Sequence, residues 1–121
     1  MQSSRRSVTW YLSPYQFITY HQYNKIAFRH KSPYYRGVAL TKDEFIQLYR
    51  TLSLIQSDIA YRIPLTENIW FTYSKENIKI VVYSKHDPRE VHRFFQFTTD
   101  SWKRFNDIHT DIYLFLSQSS T

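Results

Sequence analysis

Two similar stretches decide the fold: Leu40-Thr-Lys-Asp-Glu-Phe-Ile-Gln-Leu-Tyr49 and Phe97-Thr-Thr-Asp-Ser-Trp-Lys-Arg-Phe-Asn106. Thr41 and Thr98 occupy the same place in them, and threonine is a residue type that caps helix N-termini. Only the first stretch has the glutamate of a capping box, Glu44, three residues after the threonine. We therefore predict that a helix begins after each threonine and that the chain contains an internal repeat.

Each predicted helix carries one apolar stripe. The apolar side chains after each cap recur with the helical period, which places them on a single face. The stripes consist of Phe45, Leu48, Leu52, Ile55 and Ile59 in the first helix, and of Trp102, Phe105, Ile108, Ile112 and Leu116 in the second. We expect both stripes to face the core.

Upstream of each helix the apolar period changes to two, which is typical of β-strands with one buried face. The predicted strands are residues 8–12, 15–20, 25–31 and 35–40 in the first half, and 62–65, 69–73, 78–84 and 91–97 in the second. The predicted fold class is α+β, with two repeats of an antiparallel β-sheet followed by one helix. A unit of about 60 residues buries only a marginal core alone, so we expect the repeats to pack as an internal pseudo-dimer.

The length of 121 residues fits a single domain. We interpret residues 1–7 as a short disordered basic tail. Residues 8–60 form the first β-sheet–helix repeat in this interpretation, and residues 61–121 form the second.

The composition narrows the classes of function. Lys and Arg outnumber Asp and Glu by 16 to 10, and the formal net charge of +6 favours polyanionic partners. Aromatic residues make up 19% of the chain. The absence of cysteine excludes a disulfide scaffold and thiolate zinc sites, and a single glycine excludes glycine-rich phosphate loops. No apolar run reaches the roughly 20 residues that span a bilayer.

The sequence does not predict an enzyme. Its histidines are scattered without a metal-ligand spacing, and its carboxylates lie mostly at predicted helix starts and outer faces. These histidines are His21, His30, His86, His92 and His109. We expect a binding protein with no catalytic residues, no metal and no cofactor.

The strand pattern and the helix entry Arg36-Gly-Val-Ala-Leu-Thr-Lys-Asp-Glu-Phe45 resemble the C-terminal domain of the transcriptional coactivator positive cofactor four, or p15. The Whirly proteins share that fold more distantly. The resemblance covers residues 15–59 best and residues 69–116 more loosely, because the second unit lacks the glycine in Arg93-Phe-Phe-Gln-Phe97. In that family each subunit has a four-stranded sheet and one helix, and subunits pair through their helices to bind single-stranded DNA. The resemblance implies that this chain carries both halves of such a dimer.

Binding a single strand requires cations for the phosphates and aromatic rings for the bases. The candidate cations on strand faces and near the helix entries are Lys25, Arg29, Lys31, Arg36, Lys79, Lys85 and Arg93. The candidates for stacking are Tyr20, Tyr23, Tyr34, Tyr35, Trp70, Tyr73 and Tyr83. For each aromatic residue the alternative is burial under a helix. We align Lys25 and Lys31 with Lys79 and Lys85, with one residue gained in the second hairpin.

These features predict binding of single-stranded DNA with little sequence preference, in replication, recombination or transcription. RNA is an alternative ligand, because recognition by backbone contacts and stacking discriminates poorly between the two. A protein–protein interaction module is the alternative from another class. We expect an intracellular, nuclear location. A viral protein that acts in the host nucleus also fits this expectation. We also expect a monomer or a homodimer that acts without a membrane.

Overall fold

A computed structural model describes residues 7–21, 25–32 and 36–118, and it contains two four-stranded antiparallel sheets, each followed by a helix. The first unit consists of β1 (Val8–Tyr11), β2 (Gln16–His21), β3 (Lys25–His30), β4 (Val38–Thr41) and α1 (Lys42–Leu52). The second consists of β5 (Tyr61–Pro64), β6 (Ile69–Tyr73), β7 (Ile78–Tyr83), β8 (Val91–Gln96) and α2 (Thr99–Gln118). The strand order in each sheet follows the chain. The predicted α+β class and the repeated sheet–helix unit are confirmed.

Both helices begin at the predicted threonines. The Thr41 hydroxyl accepts from the backbone N–H of Glu44 at 3.1 Å, and the Glu44 carboxylate accepts from the N–H of Thr41 at 2.8 Å. At α2 the Thr98 hydroxyl accepts from the N–H of Ser101 at 3.1 Å, and the Ser101 hydroxyl accepts from the N–H of Thr98 at 2.8 Å. A buried serine thus completes the reciprocal pair for which the sequence rule requires Glu or Gln.

Helix α1 is shorter than its predicted apolar stripe. It ends at Leu52, so Ile55 and Ile59 lie in the connection to β5, where Ile59 is 47% exposed. The hydroxyl of Tyr61 accepts from the N–H of Gln56 at 3.1 Å and so helps to hold this connection outside the helix. The extension of the stripe beyond Leu52 was wrong, because the chain turns to bring Tyr61 into β5.

One aromatic core joins the two units. The ring of Phe28 on β3 lies 5.8 Å from Phe105 of α2 and 5.5 Å from Phe95 of β8. Towards the other end of α2, Phe115 lies 5.4 Å from Trp10 of β1. The second helix therefore covers the first sheet, and the first unit cannot complete its core without the second.

The two helices also contact each other directly. The rings of Tyr49 and Tyr113 stack with centroids 4.3 Å apart and planes 5° apart. Phe45 meets Phe105 edge-on at 6.4 Å. Because both pairs join α1 to α2, the helices form part of the contact between the halves.

We predict that Phe105→Ala lowers the free energy of unfolding by about 3–5 kcal/mol, the range for removing a buried aromatic ring. In the unmodified protein both halves should unfold in one transition, because they share the ring of Phe105. Denaturant unfolding followed by tryptophan fluorescence and circular dichroism checks this, since Trp10 reports on the first unit and Trp70 and Trp102 on the second. Leu114→Ala, at a 49% exposed position of the same helix, is the control and should have little effect. Two separate transitions in the unmodified protein would contradict the shared core.

Candidate nucleic-acid interface

Strand alternation gives each sheet one face on the core and one face in solvent, which we call the outer face. On β3, Ile26 and Phe28 are buried, so Lys25, Ala27 and Arg29 lie on the outer face of the first sheet. The predicted placement of Lys25 and Arg29 on one strand face agrees with this pattern. The candidate interface is built from these outer faces and the loops at their ends.

Four cationic side chains line one groove beside β3 and β4. Arg29 lies on β3, Lys31 follows β3, Arg36 precedes β4 and Arg93 lies on β8. We call this space, of about 670 Å³, the cationic groove. Within the described residues, no acidic residue lines this groove and none of the four cations forms an ion pair. Such uncompensated positive charge favours an anionic ligand.

The groove draws on both halves of the chain because β4 and β8 contact each other. Arg36 lies two residues before the buried Val38, and Arg93 lies two residues before the buried Phe95. Arg36 therefore precedes β4 and Arg93 lies within β8, and these two strands contact each other across the two units. All four cations were candidates from the sequence. The repeat did not indicate that Arg36 and Arg93 would share one groove.

The pairing registers correct the predicted alignment of the hairpins. Tyr20 pairs with Ile26 in the first sheet, whereas Tyr73 pairs with Ile78 in the second. The β6–β7 hairpin is therefore one residue shorter than the β2–β3 hairpin, whereas the alignment made it one residue longer.

Lys79 consequently corresponds to Ala27, and the predicted equivalence of Lys25 with Lys79 is wrong. The equivalence of Lys31 with Lys85 is wrong for the same reason. Both errors amount to two residues, which is the strand period, so every residue keeps its predicted face. The correspondence of Arg36 with Arg93 agrees with the registers of β4 and β8.

Gly37 opens one side of the cationic groove. A Cβ atom at this position would lie 1.8 Å from the carbonyl oxygen of Phe28, so the close approach of β4 to β3 admits no side chain. The same registers place Phe94 at the corresponding position of the second sheet, where it is 44% exposed. The two outer faces therefore differ: one has an open cationic groove and the other an aromatic side chain.

An aromatic pair that the sequence reasoning missed lies beside the cationic groove. Tyr11 on β1 and Phe17 on β2 are paired on the outer face, with ring centroids 5.6 Å apart, and Tyr11 is 62% exposed. Phe17 in turn pairs with Arg29 on β3 and lines the groove. Strand alternation was the signal for this pair, because Ile18 next to Phe17 is buried.

Two of the stacking candidates are core residues. Tyr20 and Tyr73 are 9% and 8% exposed, so the alternative of burial applies to them and the prediction that they stack on bases is wrong. The ring of Tyr20 lies 5.2 Å from Phe115, and that of Tyr73 lies 5.8 Å from Trp102. Both occupy the core-facing positions of their strands. The candidates Tyr23, Tyr34 and Tyr35 lie outside the described residues.

Trp70 and Tyr83 lie on the outer face of the second sheet, half-buried. The guanidinium carbon of Arg62 lies 4.0 Å from the ring centroid of Trp70 and 5.9 Å from that of Tyr83. Sequence reasoning missed Arg62, which the short strand β5 positions opposite Thr72.

The remaining candidate cations lie apart from the cationic groove. Lys25 is exposed at the start of β3, and Lys79 is half-buried on β7. Lys85 is exposed in the turn after β7, beside Trp70 and Tyr83.

His30 lies in the wall of the cationic groove and against the core. Its ring lies 5.0 Å from that of Phe95, and burial lowers the pKa of His30 below its usual value of 6.5. The imidazole is therefore held in its neutral form in the folded protein at neutral pH.

No group of three or more His, Asp or Glu side chains within the described ranges is arranged to hold a metal ion. None of the described helices is long and apolar enough to cross a membrane. No protein-family model matches the chain, and comparisons with curated proteins and with solved structures give no significant match. The likeness to the positive cofactor four domain therefore stays a prediction from the residue pattern, and function is argued from the site.

We predict that Gly37→Ala destabilises the fold by more than about 1 kcal/mol, because the new Cβ would force β4 away from β3. Thermal unfolding followed by circular dichroism checks this. Ala39→Ser, at an exposed position of the same strand, should change stability by less than about 0.5 kcal/mol. A neutral Gly37→Ala variant would contradict the close approach of the two strands.

We predict that the stabilising contribution of neutral His30 is lost as pH falls below about 6.5, its unfolded-state pKa. The folded pKa is depressed, so the unfolded chain binds the proton more readily and the free energy of unfolding decreases in acid. His30→Gln should remove this part of the pH dependence. The difference in unfolding free energy between the unmodified protein and His30→Gln, measured by urea unfolding, should therefore shrink from neutral to mildly acidic pH. A constant difference would contradict the burial of a neutral imidazole.

Proposed function

We propose that this protein binds single-stranded nucleic acid with little sequence preference, through the cationic groove and the aromatic pair beside it. DNA is the proposed ligand, in replication, recombination or transcription, and RNA is the alternative. The observation that carries the proposal is the cationic groove, in which four cations from both halves lie beside an aromatic pair. The proposed activity is binding alone, with no catalytic step and no cofactor.

The phosphates are held in the groove by its three arginines and Lys31. A guanidinium can grip two phosphate oxygens at once, whereas the lysine ammonium acts as a point charge. None of these contacts depends on the identity of a base, which accounts for the low sequence preference.

The bases stack on Tyr11 and Phe17. Residues directly opposite on neighbouring strands have Cβ atoms about 4.5–5.5 Å apart, so the pair Phe17–Arg29 sets an aromatic ring next to a phosphate-binding cation. One nucleotide can therefore use both. A duplex keeps its bases paired and stacked on each other, so it cannot use the aromatic rings in this way.

We also propose that the two units pack as an internal pseudo-dimer. The contacts of α1 with α2 through Tyr49 and Tyr113 support this arrangement, as does the contact between β4 and β8. Because Arg93 comes from the second unit, the binding surface of the first unit depends on that packing.

A protein-interaction module is the second candidate function. Val91 and Phe94 on β8 are 50% and 44% exposed, and exposed apolar side chains on one strand favour docking of a partner chain. The two functions differ in their response to salt, because phosphate contacts release counterions and apolar burial does not.

We predict that labelled single-stranded DNA binds at low salt more tightly than duplex of the same length, measured by fluorescence anisotropy. Removing two phosphate contacts with Arg36→Gln and Arg93→Gln should weaken binding to all sequences alike. The slope of log affinity against log salt should then fall in magnitude by about 1.4, since each contact on a single strand contributes about 0.7.

The matched control is the double variant Lys103→Gln and Arg104→Gln, which removes the same charge from exposed positions on α2. Its salt slope should change little. The absence of single-strand binding at low salt would contradict the proposed function. An equal effect of both double variants would contradict the assignment to the cationic groove.

A further inference from the structure

A second, smaller cavity lies at one end of the outer face of the second sheet. It has a volume of about 260 Å³ and lies between the β5–β6 turn and the turn after β7. It is lined by Glu67, Asn68, Trp70, Tyr83, Ser84, Lys85 and Pro88. This volume lies below the roughly 300–1,000 Å³ of pockets for drug-sized ligands, so the cavity fits a single ring system.

Aromatic side chains form part of its wall. The indole of Trp70 is fixed from one side by the guanidinium of Arg62, which lies 4.0 Å from its centroid. The phenol ring of Tyr83 is also near that guanidinium, at 5.9 Å. A planar group that enters the cavity therefore meets aromatic rings already held in place, so stacking needs little further ordering.

Most of the polar atoms around the cavity are already engaged. The side-chain amide of Asn68 donates to the carbonyl of Tyr83 at 3.3 Å, and its oxygen accepts from the hydroxyl of Thr66 at 3.1 Å. The backbone carbonyl of Asn68 accepts from the N–H of Tyr83 at 2.8 Å. Among the described residues Glu67 makes no hydrogen bond through its carboxylate, so this group is available to an entering ligand. A carboxylate only accepts hydrogen bonds.

We propose that this cavity binds one unpaired base that carries an exocyclic amino group, with cytosine as the test case. Glu67 accepts a hydrogen bond from the amino group, and Lys85 contacts the adjoining phosphate. A carboxylate is a known partner for the amino group of cytosine. Uracil presents a carbonyl oxygen at the same position. This oxygen and the Glu67 carboxylate are both acceptors, so neither would receive a hydrogen bond from the other.

The preference belongs to the second sheet alone. The turns between β1 and β2 and between β5 and β6 have matching backbone hydrogen bonds, from Leu12 to Gln16 and from Leu65 to Ile69. These bonds align Glu67 with Pro14, which cannot accept through its side chain. The proposal rests on the proposed function, because it names a base preference within the binding of a single strand.

The test compares oligodeoxycytidylate with oligodeoxyuridylate of equal length, by fluorescence anisotropy at neutral pH. We expect the cytosine strand to bind roughly fivefold more tightly, the low end of the discrimination given by hydrogen bonds to a base edge. Glu67→Gln should abolish or reverse this ratio, because the glutamine amide can donate to the carbonyl of uracil.

Glu76→Gln is the matched control, because it removes an exposed carboxylate from the β6–β7 turn, away from this cavity. It should leave the ratio unchanged. Equal binding of both strands that still weakens with salt would overturn the cavity assignment and leave the proposed function standing. Failure of both strands to bind would overturn the proposed function itself. An unchanged ratio in Glu67→Gln would overturn the role of Glu67.

Discussion

The rest of the structure depends on the packing of Phe28 against side chains from the other half of the chain. Its ring contacts Phe95 and Phe105, so burial of the first sheet requires both the second sheet and the second helix. The same packing fixes where β4 meets β8. Arg36 and Arg93 are thereby brought to one groove, although they belong to different halves of the chain. The hydrophobic contact between the units therefore determines the electrostatics of the candidate binding site.

The two repeats differ in the residues of their outer faces, whereas most of their corresponding core positions are apolar in both. Gly37 leaves the first outer face open, and Phe94 occupies the corresponding position of the second. The first face then presents cations beside an aromatic pair, and the second presents aromatic rings braced by Arg62. In the proposed binding, the first face holds one strand by its phosphates and the second face binds one of its bases. A symmetric dimer of identical subunits has no such division.

The elements were predictable because each depends on local chemistry. Thr41 and Thr98 marked the helix starts, and period-two alternation marked the strands to within a few residues. The hairpin registers were not predictable, because a two-residue shift leaves every side chain on the same face. The sequence also did not decide whether Tyr20 is buried. Period two separates the two faces of a strand, but it does not show which tyrosines the helix from the other unit covers. The convergence of Arg36 and Arg93 depends on that packing between units, which a single sequence does not encode locally.

In the proposed function, a single strand binds in the groove formed by both halves. Titration of isotope-labelled protein with single-stranded DNA, followed by amide chemical shifts, tests this most directly. We expect the signals of Phe17, Arg29, Gly37 and Arg93 to shift together with one midpoint, although Arg93 belongs to the second unit. Shifts confined to the exposed surface of α2, with these four signals unchanged, would contradict it.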